Sequence, residues 1–256
     1  MIIDKVLEAA APYLKGRTVN DFVIGLALIG LELDNGDIGI SYTLRGHLPP
    51  GCSAFSFAQD IIGKDAMEIA NLAKYGTDDV QRSVGIATLA AASCSQDLAD
   101  ITTFKSTFGV DVLPTDTVGM IGFIPSAAKM FSEKTENLII FDEAVSEFEE
   151  EAKDVRSMDE QAGLLPKCDI VILTGTTVIN RTIDNLLKIC SNAKAIIMVG
   201  SSTPMFPEAF RSTNIKVLAG SWWGNDNKEE LFKLISIAGG ITHVNKFMIK
   251  KAVPVE

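Results

Sequence analysis

The 256-residue sequence predicts an α/β protein built around a mostly parallel sheet. Three observations carry this reading. Beyond about residue 112, short apolar runs alternate with helical patterns, the grammar of strand-helix-strand units. Most of these runs end abruptly in small or polar residues. In the first third, an Asn35-Gly36 pair lies between two β-rich stretches, so an antiparallel hairpin precedes the parallel part.

The elements follow in order. Residues 2–15 place Ile2, Ile3, Val6, Leu7, Ala10 and Leu14 close to helical spacing, with Gly16 as a stop. Residues 22–32 and 38–44 are read as the two hairpin strands. After the Gly/Pro-rich loop Arg45-Gly46-His47-Leu48-Pro49-Pro50-Gly51 come helical patterns over 58–75 and 78–93. In the second of these, Gly85 and Ala87 permit close helix packing. The stretch 101–117, with Gly109 and Pro114, is read as the connection between two domains, 1–105 and 112–256. No flexible low-complexity linker separates them, so tight packing is expected.

In the second domain a strand from Val118 runs into a glycine turn ending at Pro125, further strands are read at 138–141, 170–173, 195–199 and 215–219, and helices from about Ser126 and over 180–190 and 228–238. Their tails are the Gly119-Met120-Ile121-Gly122-Phe123-Ile124-Pro125 turn, Asp142-Glu143, Thr174-Gly175-Thr176-Thr177, Gly200-Ser201-Ser202-Thr203-Pro204 and Gly220-Ser221-Trp222-Trp223. Right-handed crossovers in a parallel sheet bring such tails to one edge, where ligands of open α/β folds bind.

Composition narrows the function classes. Lys and Arg number 23 against 33 Asp and Glu, a net charge of −10 with no basic cluster, which argues against a nucleic-acid partner. The apolar run 22–31 is about half of what a bilayer span needs, so no membrane partner is expected. Asp4 and Glu8 among the first apolar residues argue against a secretory signal, and a cytoplasmic location is expected. Cys52, Cys94, Cys168 and Cys190 form no Cys-x-x-Cys pair, which disfavours a zinc ribbon or a disulfide framework. A homodimer is the base-rate expectation for assembly.

Each candidate site residue has two readings. Backbone N–H groups at the Gly119/Gly122 turn, ahead of a helix, suit a phosphate or carboxylate, although the full Gly-x-Gly-x-x-Gly fingerprint is absent. Asp142 lies 20 residues after Gly122, the spacing of a ribose-binding carboxylate, or else it caps the next helix. Thr174, Thr176 and Thr177 offer ligand hydroxyls or an N-cap. Gly200, Ser201, Ser202 and Thr203 are denser in small hydrogen-bonding groups than a plain turn requires. Arg45 is placed to grip an anion bidentately, or to form a structural ion pair. His47 and Cys52, five residues apart, could be folded onto a zinc or iron ion, with local hydrogen bonding and burial as the simpler reading. His243 has no metal-ligand spacing, and no Ser sits in a Gly-x-Ser-x-Gly elbow.

The hairpin, the Arg82-Ser83-Val84-Gly85-Ile86-Ala87 helix, the Val118-Gly119-Met120-Ile121-Gly122-Phe123-Ile124-Pro125 turn and the Gly200-Ser201-Ser202-Thr203-Pro204 segment together resemble a two-domain family of unknown function named for heavy-metal chelation. The resemblance covers nearly the whole chain and rests on order and spacing, since none of these motifs is a catalytic signature. It implies an N-terminal α+β domain like the small capping domain of enolases, joined to an atypical Rossmann-like domain, with a site in the cleft between them. Members of the family often carry an Asn where Ala90 stands here.

The leading expectation is therefore a small anionic ligand, such as a metal-chelating metabolite or its metal complex, held between Arg45 and His47 on one wall and the sheet-edge turns on the other. The alternatives are an enzyme using an adenosine-bearing cofactor, S-adenosylmethionine or a dinucleotide, with Asp142 on the ribose, and a non-catalytic assembly component.

Overall fold

A computed structural model describes residues 1–44, 46, 55–101, 106–143 and 155–256. The first helix, α1 (Ile2–Leu14), buries the six apolar positions expected of it, and Gly16 follows at φ +73°. Full burial of each large aliphatic side chain contributes about 1.5–3 kcal/mol.

The antiparallel part has three strands, β1 (Val19–Ile24), β2 (Leu28–Leu33) and β3 (Ile38–Tyr42), where two were expected. The apolar stretch 22–32 is interrupted at Gly25, whose amide bonds Leu28 O at 2.8 Å. A Cβ there would meet Ile235 O at 2.2 Å, so the chain turns where a later helix end crowds it. The helical pattern 58–75 is also divided. A 3₁₀ turn at Ala58–Asp60 and Gly63 at φ +82° precede α2 (Ala66–Ala70) and α3 (Leu72–Tyr75), and Asp65 caps α2 by accepting the Met67 and Glu68 amides. Helix α4 (Asp79–Ser93) lies as expected, started by the Asp78 cap on the Gln81 amide. A Cβ on Gly85 would stand 2.1 Å from Ala73 N, so this glycine lets α4 lie directly on α3.

The second half comprises β4 (Val118–Ile121), α5 (Pro125–Ser132), β5 (Leu138–Phe141), β6 (Val155–Arg156), α6 (Gln161–Leu164), β7 (Ile170–Thr174), α7 (Thr176–Ile179), α8 (Ile183–Ile189), β8 (Ala195–Val199), β9 (Ile215–Trp223), α9 (Lys228–Ser236), α10 (Ile241–Val244) and β10 (Met248–Pro254). Strands β6, β5, β4, β7, β8 and β9 are parallel neighbours in that spatial order. On β7, Ile170 and Ile172 enter one core cluster while Val171 and Leu173 enter another, so both faces are covered, as a parallel sheet requires. The expected helix over 180–190 is shorter: α8 spans Ile183–Ile189, and Arg181 at φ +62° separates it from α7, which lies ahead of the expected span.

Strand β9 does not stop at Ala219. It runs on through Gly220, Ser221 and Trp222 to Trp223 because antiparallel β10 pairs with it from Val217 to Trp223. At that far end Ile38 of β3 pairs with Trp223, so the meander and the parallel strands belong to one ten-stranded sheet. Side chains reinforce the joint. Arg82 on α4 donates to Ile179 O at 2.6 Å and Gly76 O at 3.0 Å, and Arg181 donates to Lys74 O at 2.7 Å.

Among the described residues, no helix is long and apolar enough to cross a membrane.

Candidate functional site

The ends of β4, β5, β7 and β8 bring three turns and one carboxylate together. After β4, Gly122 takes φ +85° and donates to Phe141 O at 2.8 Å. A Cβ there would lie 2.7 Å from Cγ2 of Thr174, so glycine is required by conformation and by space. The next amide, Phe123 N–H, donates to Asp142 Oδ2 at 2.5 Å. Asp142 thus fastens the turn that opens α5, whose N-cap, Ile124, offers no side-chain bond. Gly119 lies inside β4, and its missing Cβ makes room for Cys168 Sγ, 2.9 Å from where that Cβ would stand.

After β7, the Thr174 and Thr176 hydroxyls are 3.1 Å apart, and the buried Thr177 donates to Thr174 O at 2.8 Å. A Cβ on Gly175 would come within 2.4 Å of Thr203 N, so the turns after β7 and β8 touch backbone to backbone.

After β8, Gly200 takes φ +116° and its carbonyl accepts the Thr203 amide at 3.0 Å. The three residues that follow are buried: Ser201 is 4%, Ser202 1% and Thr203 1% exposed. Ser221 Oγ bonds Ser201 Oγ at 3.1 Å, and the Tyr42 amide donates to Ser202 Oγ at 2.9 Å. Among the described residues Thr203 Oγ1 has no hydrogen-bond partner. Because β9 continues past the end of β8 towards β3, this segment lies at the joint between them, where Ser201 bonds β9 and Ser202 bonds β3.

Of the turn residues singled out from the sequence, Gly122, Asp142, Thr174, Thr176 and Gly200 stay partly exposed at the edge. Arg45, His47 and Cys52 lie outside the described residues. The chain leaves for that segment from Tyr42, three residues before Arg45, where Ser202 holds it. Tyr42 and Ser221 are partners the sequence did not single out. Tyr42 had only its place ahead of the Arg45 loop to mark it, and Ser221 looked like part of a turn.

The remaining candidates are structural. Trp223 is 4% exposed in the core, while Trp222 donates to Ser93 Oγ at 3.2 Å and carries Lys251 Nζ 4.6 Å from its ring centre. His243 accepts the Gly240 amide at 3.2 Å. Ala90 is buried in α4, and its carbonyl accepts from Ser93 Oγ at 2.6 Å. Away from the turns, Phe57, Ile61, Ile69 and Leu72, with Lys64, line a groove of about 260 Å³ that contains no sequence-derived site residue.

Among the described residues no three His, Cys, Asp or Glu groups come together around a point where a metal ion could sit. Burial pushes the Cys94 thiol up to about 12, helped by the charge of Asp37. Burial and Asp169 raise Cys168 to about 11, and burial and Cys168 raise Cys190 to about 12. With no such cluster, the described side chains do not by themselves form a chelating site. The threonine hydroxyls at the edge suit an oxygen-rich ligand instead.

Two family models match the chain, both described as "Putative heavy-metal chelation", one over residues 7–93 and one over 106–254. An uncharacterised protein of Methanocaldococcus jannaschii is 28% identical over 245 residues, with 86% of each chain covered. A solved protein of unknown function from Pyrococcus horikoshii shares the fold at a TM-score of 0.80 and 20% identity, covering 100% of both chains. One from Desulfitobacterium hafniense does so at 0.77 and 19%, covering 98% of each. Both solved proteins are assigned to the family whose model matches 106–254.

Proposed function

The chain belongs to the "Putative heavy-metal chelation" family, and on that premise we propose that it binds a metal ion as the complex of a small anionic chelator, at the edge formed by the turns after β4, β7 and β8. The metal is cargo, and the protein addresses the organic part of the complex. The Thr174 and Thr176 hydroxyls donate to its oxygens, and Arg45 supplies a positive charge. His47 and Cys52 are the side-chain donors proposed to complete the metal's coordination.

The observation that carries this reading is the bond from the Tyr42 amide to Ser202 Oγ, 2.9 Å. It fixes the start of the segment bearing Arg45, His47 and Cys52 against the turn at the end of β8. The absence of a three-ligand cluster among the described residues favours recognition of the chelator over coordination by those residues alone.

Calorimetric titration with zinc, alone and in excess citrate, tests the proposal. Zinc citrate is expected to bind and bare zinc to bind at least about ten-fold more weakly, a difference of about 1.4 kcal/mol. Arg45→Ala removes binding of the complex. Tight binding of bare zinc that citrate abolishes would refute the reading.

A further inference from the structure

The turn after β8 differs from its neighbours in a way that points to movement. Its hinge end is Gly200, at a φ that L side chains rarely adopt and with no atom within 4 Å of a Cβ built there. Its fixed end is Met205, 1% exposed, whose carbonyl accepts from Gln96 Nε2 at 2.7 Å. Between them lie Ser201, Ser202, Thr203 and Pro204, so proline supplies the only apolar side chain in the span. Two side-chain bonds tie the span to its neighbours, Ser201 to Ser221 and Ser202 to the Tyr42 amide, and its backbone packs on Gly175. Water replaces such bonds at little net cost.

Closure also carries a penalty. Thr203 Oγ1 is buried without a hydrogen-bond partner among the described residues, and opening would return it to water. Across the joint, Ser83 Oγ on α4 is in the same condition, and the Ser83 carbonyl accepts from Ser41 Oγ, one residue before Tyr42. The turn after β7 shows the contrast, because there all three threonine hydroxyls are satisfied within the turn.

We propose that residues 200–204 form a strap that opens from the joint between β8, β9 and β3. Opening uncovers the hydroxyls of Ser201, Ser202, Thr203 and Ser221 and the Gly175 backbone beside Thr174 and Thr176. The edge site is then extended by a surface of oxygens suited to a carboxylate-bearing ligand. The identity of what enters rests on the function proposed above, whereas the opening itself is a property of the unliganded protein.

Residue-resolved hydrogen exchange on the full chain without ligand tests it. The Tyr42 and Thr203 amides report the strap directly, since one donates to Ser202 Oγ and the other to Gly200 O. They are expected to exchange at least about ten-fold faster than the Ile172 and Met198 amides of the central strands. Thr203→Val, which removes the unpartnered hydroxyl at constant shape, slows both probes and raises Tm. Gly200→Ala, which meets no neighbouring atom, speeds both through backbone strain alone. Protection of Tyr42 and Thr203 equal to that of Ile172, or a Thr203→Val variant with lowered Tm, would overturn the strap. Zinc citrate binding to a protein whose strap never opens would sink this inference and leave the site intact, and an opening strap without such binding would do the reverse.

Discussion

The Asp142 carboxylate accepts the Phe123 amide at 2.5 Å, joining the end of β5 to the turn that follows β4. The residue whose spacing suggested a ribose contact is thereby engaged in holding the glycine turn. A hydrogen bond to a charged group is worth about 1.5–3 kcal/mol. Asp142→Ala is expected to lower unfolding stability by about that amount in denaturant titrations. Calorimetry of the wild type with NAD or S-adenosylmethionine is expected to give no binding heat, and saturable heat with either would support the adenosine-cofactor alternative.

Two glycine substitutions separate close approach from simple helix content. At Gly175 a Cβ would meet Thr203 N at 2.4 Å and the Ser202 carbonyl carbon at 2.5 Å, both backbone atoms of the closed strap. Gly175→Ala is expected to cost about 1–3 kcal/mol. Gly163, in α6 and exposed, has no atom within 4 Å of a Cβ, so Gly163→Ala is expected to stabilise by about 0.5–1 kcal/mol. Thermal unfolding of both variants checks the pair, and equal effects would contradict the close contact of the two turns.

The parallel strands were legible because they are buried on both faces and so read as unbroken apolar runs. The Asn35-Gly36 hairpin was legible because its turn chemistry is local. What failed depended on distant partners. Nothing between residues 22 and 32 announces that Gly25 must turn away from Ile235, and Gly220-Ser221 reads as a stop until β10 is laid beside it. The site suffered most from this. Ser201, Ser202 and Thr203 read as a polar site element, yet they are buried in a joint made only when β9 reaches β3.

The thiols give a chemical test of which cysteine is available. Cys94, Cys168 and Cys190 are held protonated by burial, at about 12, 11 and 12, so at pH 8 almost none is in the reactive thiolate form. Titration of the native protein with a disulfide reagent is expected to label at most Cys52 rapidly, and Cys52→Ser to abolish that phase. Rapid native labelling of two or more thiols would contradict the burial described.

Acid stability is expected to depend on Asp116. Burial works against its charge, but the bonds from Lys194 Nζ at 2.6 Å and the Leu113 amide at 2.7 Å outweigh it and hold the carboxyl below its ordinary value of 3.8. The folded-state value being depressed, the stabilisation is fully present above about pH 4 and is lost as pH falls through the folded value. Asp116→Asn is expected to reduce stability at neutral pH and to flatten its dependence on pH below about 4. An unchanged acid limb in the variant would remove Asp116 from the account.

The most direct measurement is native mass spectrometry with elemental analysis on protein purified anaerobically without added metal or chelator. Retention of a transition metal together with an organic mass, both lost in Arg45→Ala, is the predicted result. A bare metal ion bound stoichiometrically with no accompanying organic mass would contradict the claim that the protein recognises the chelator.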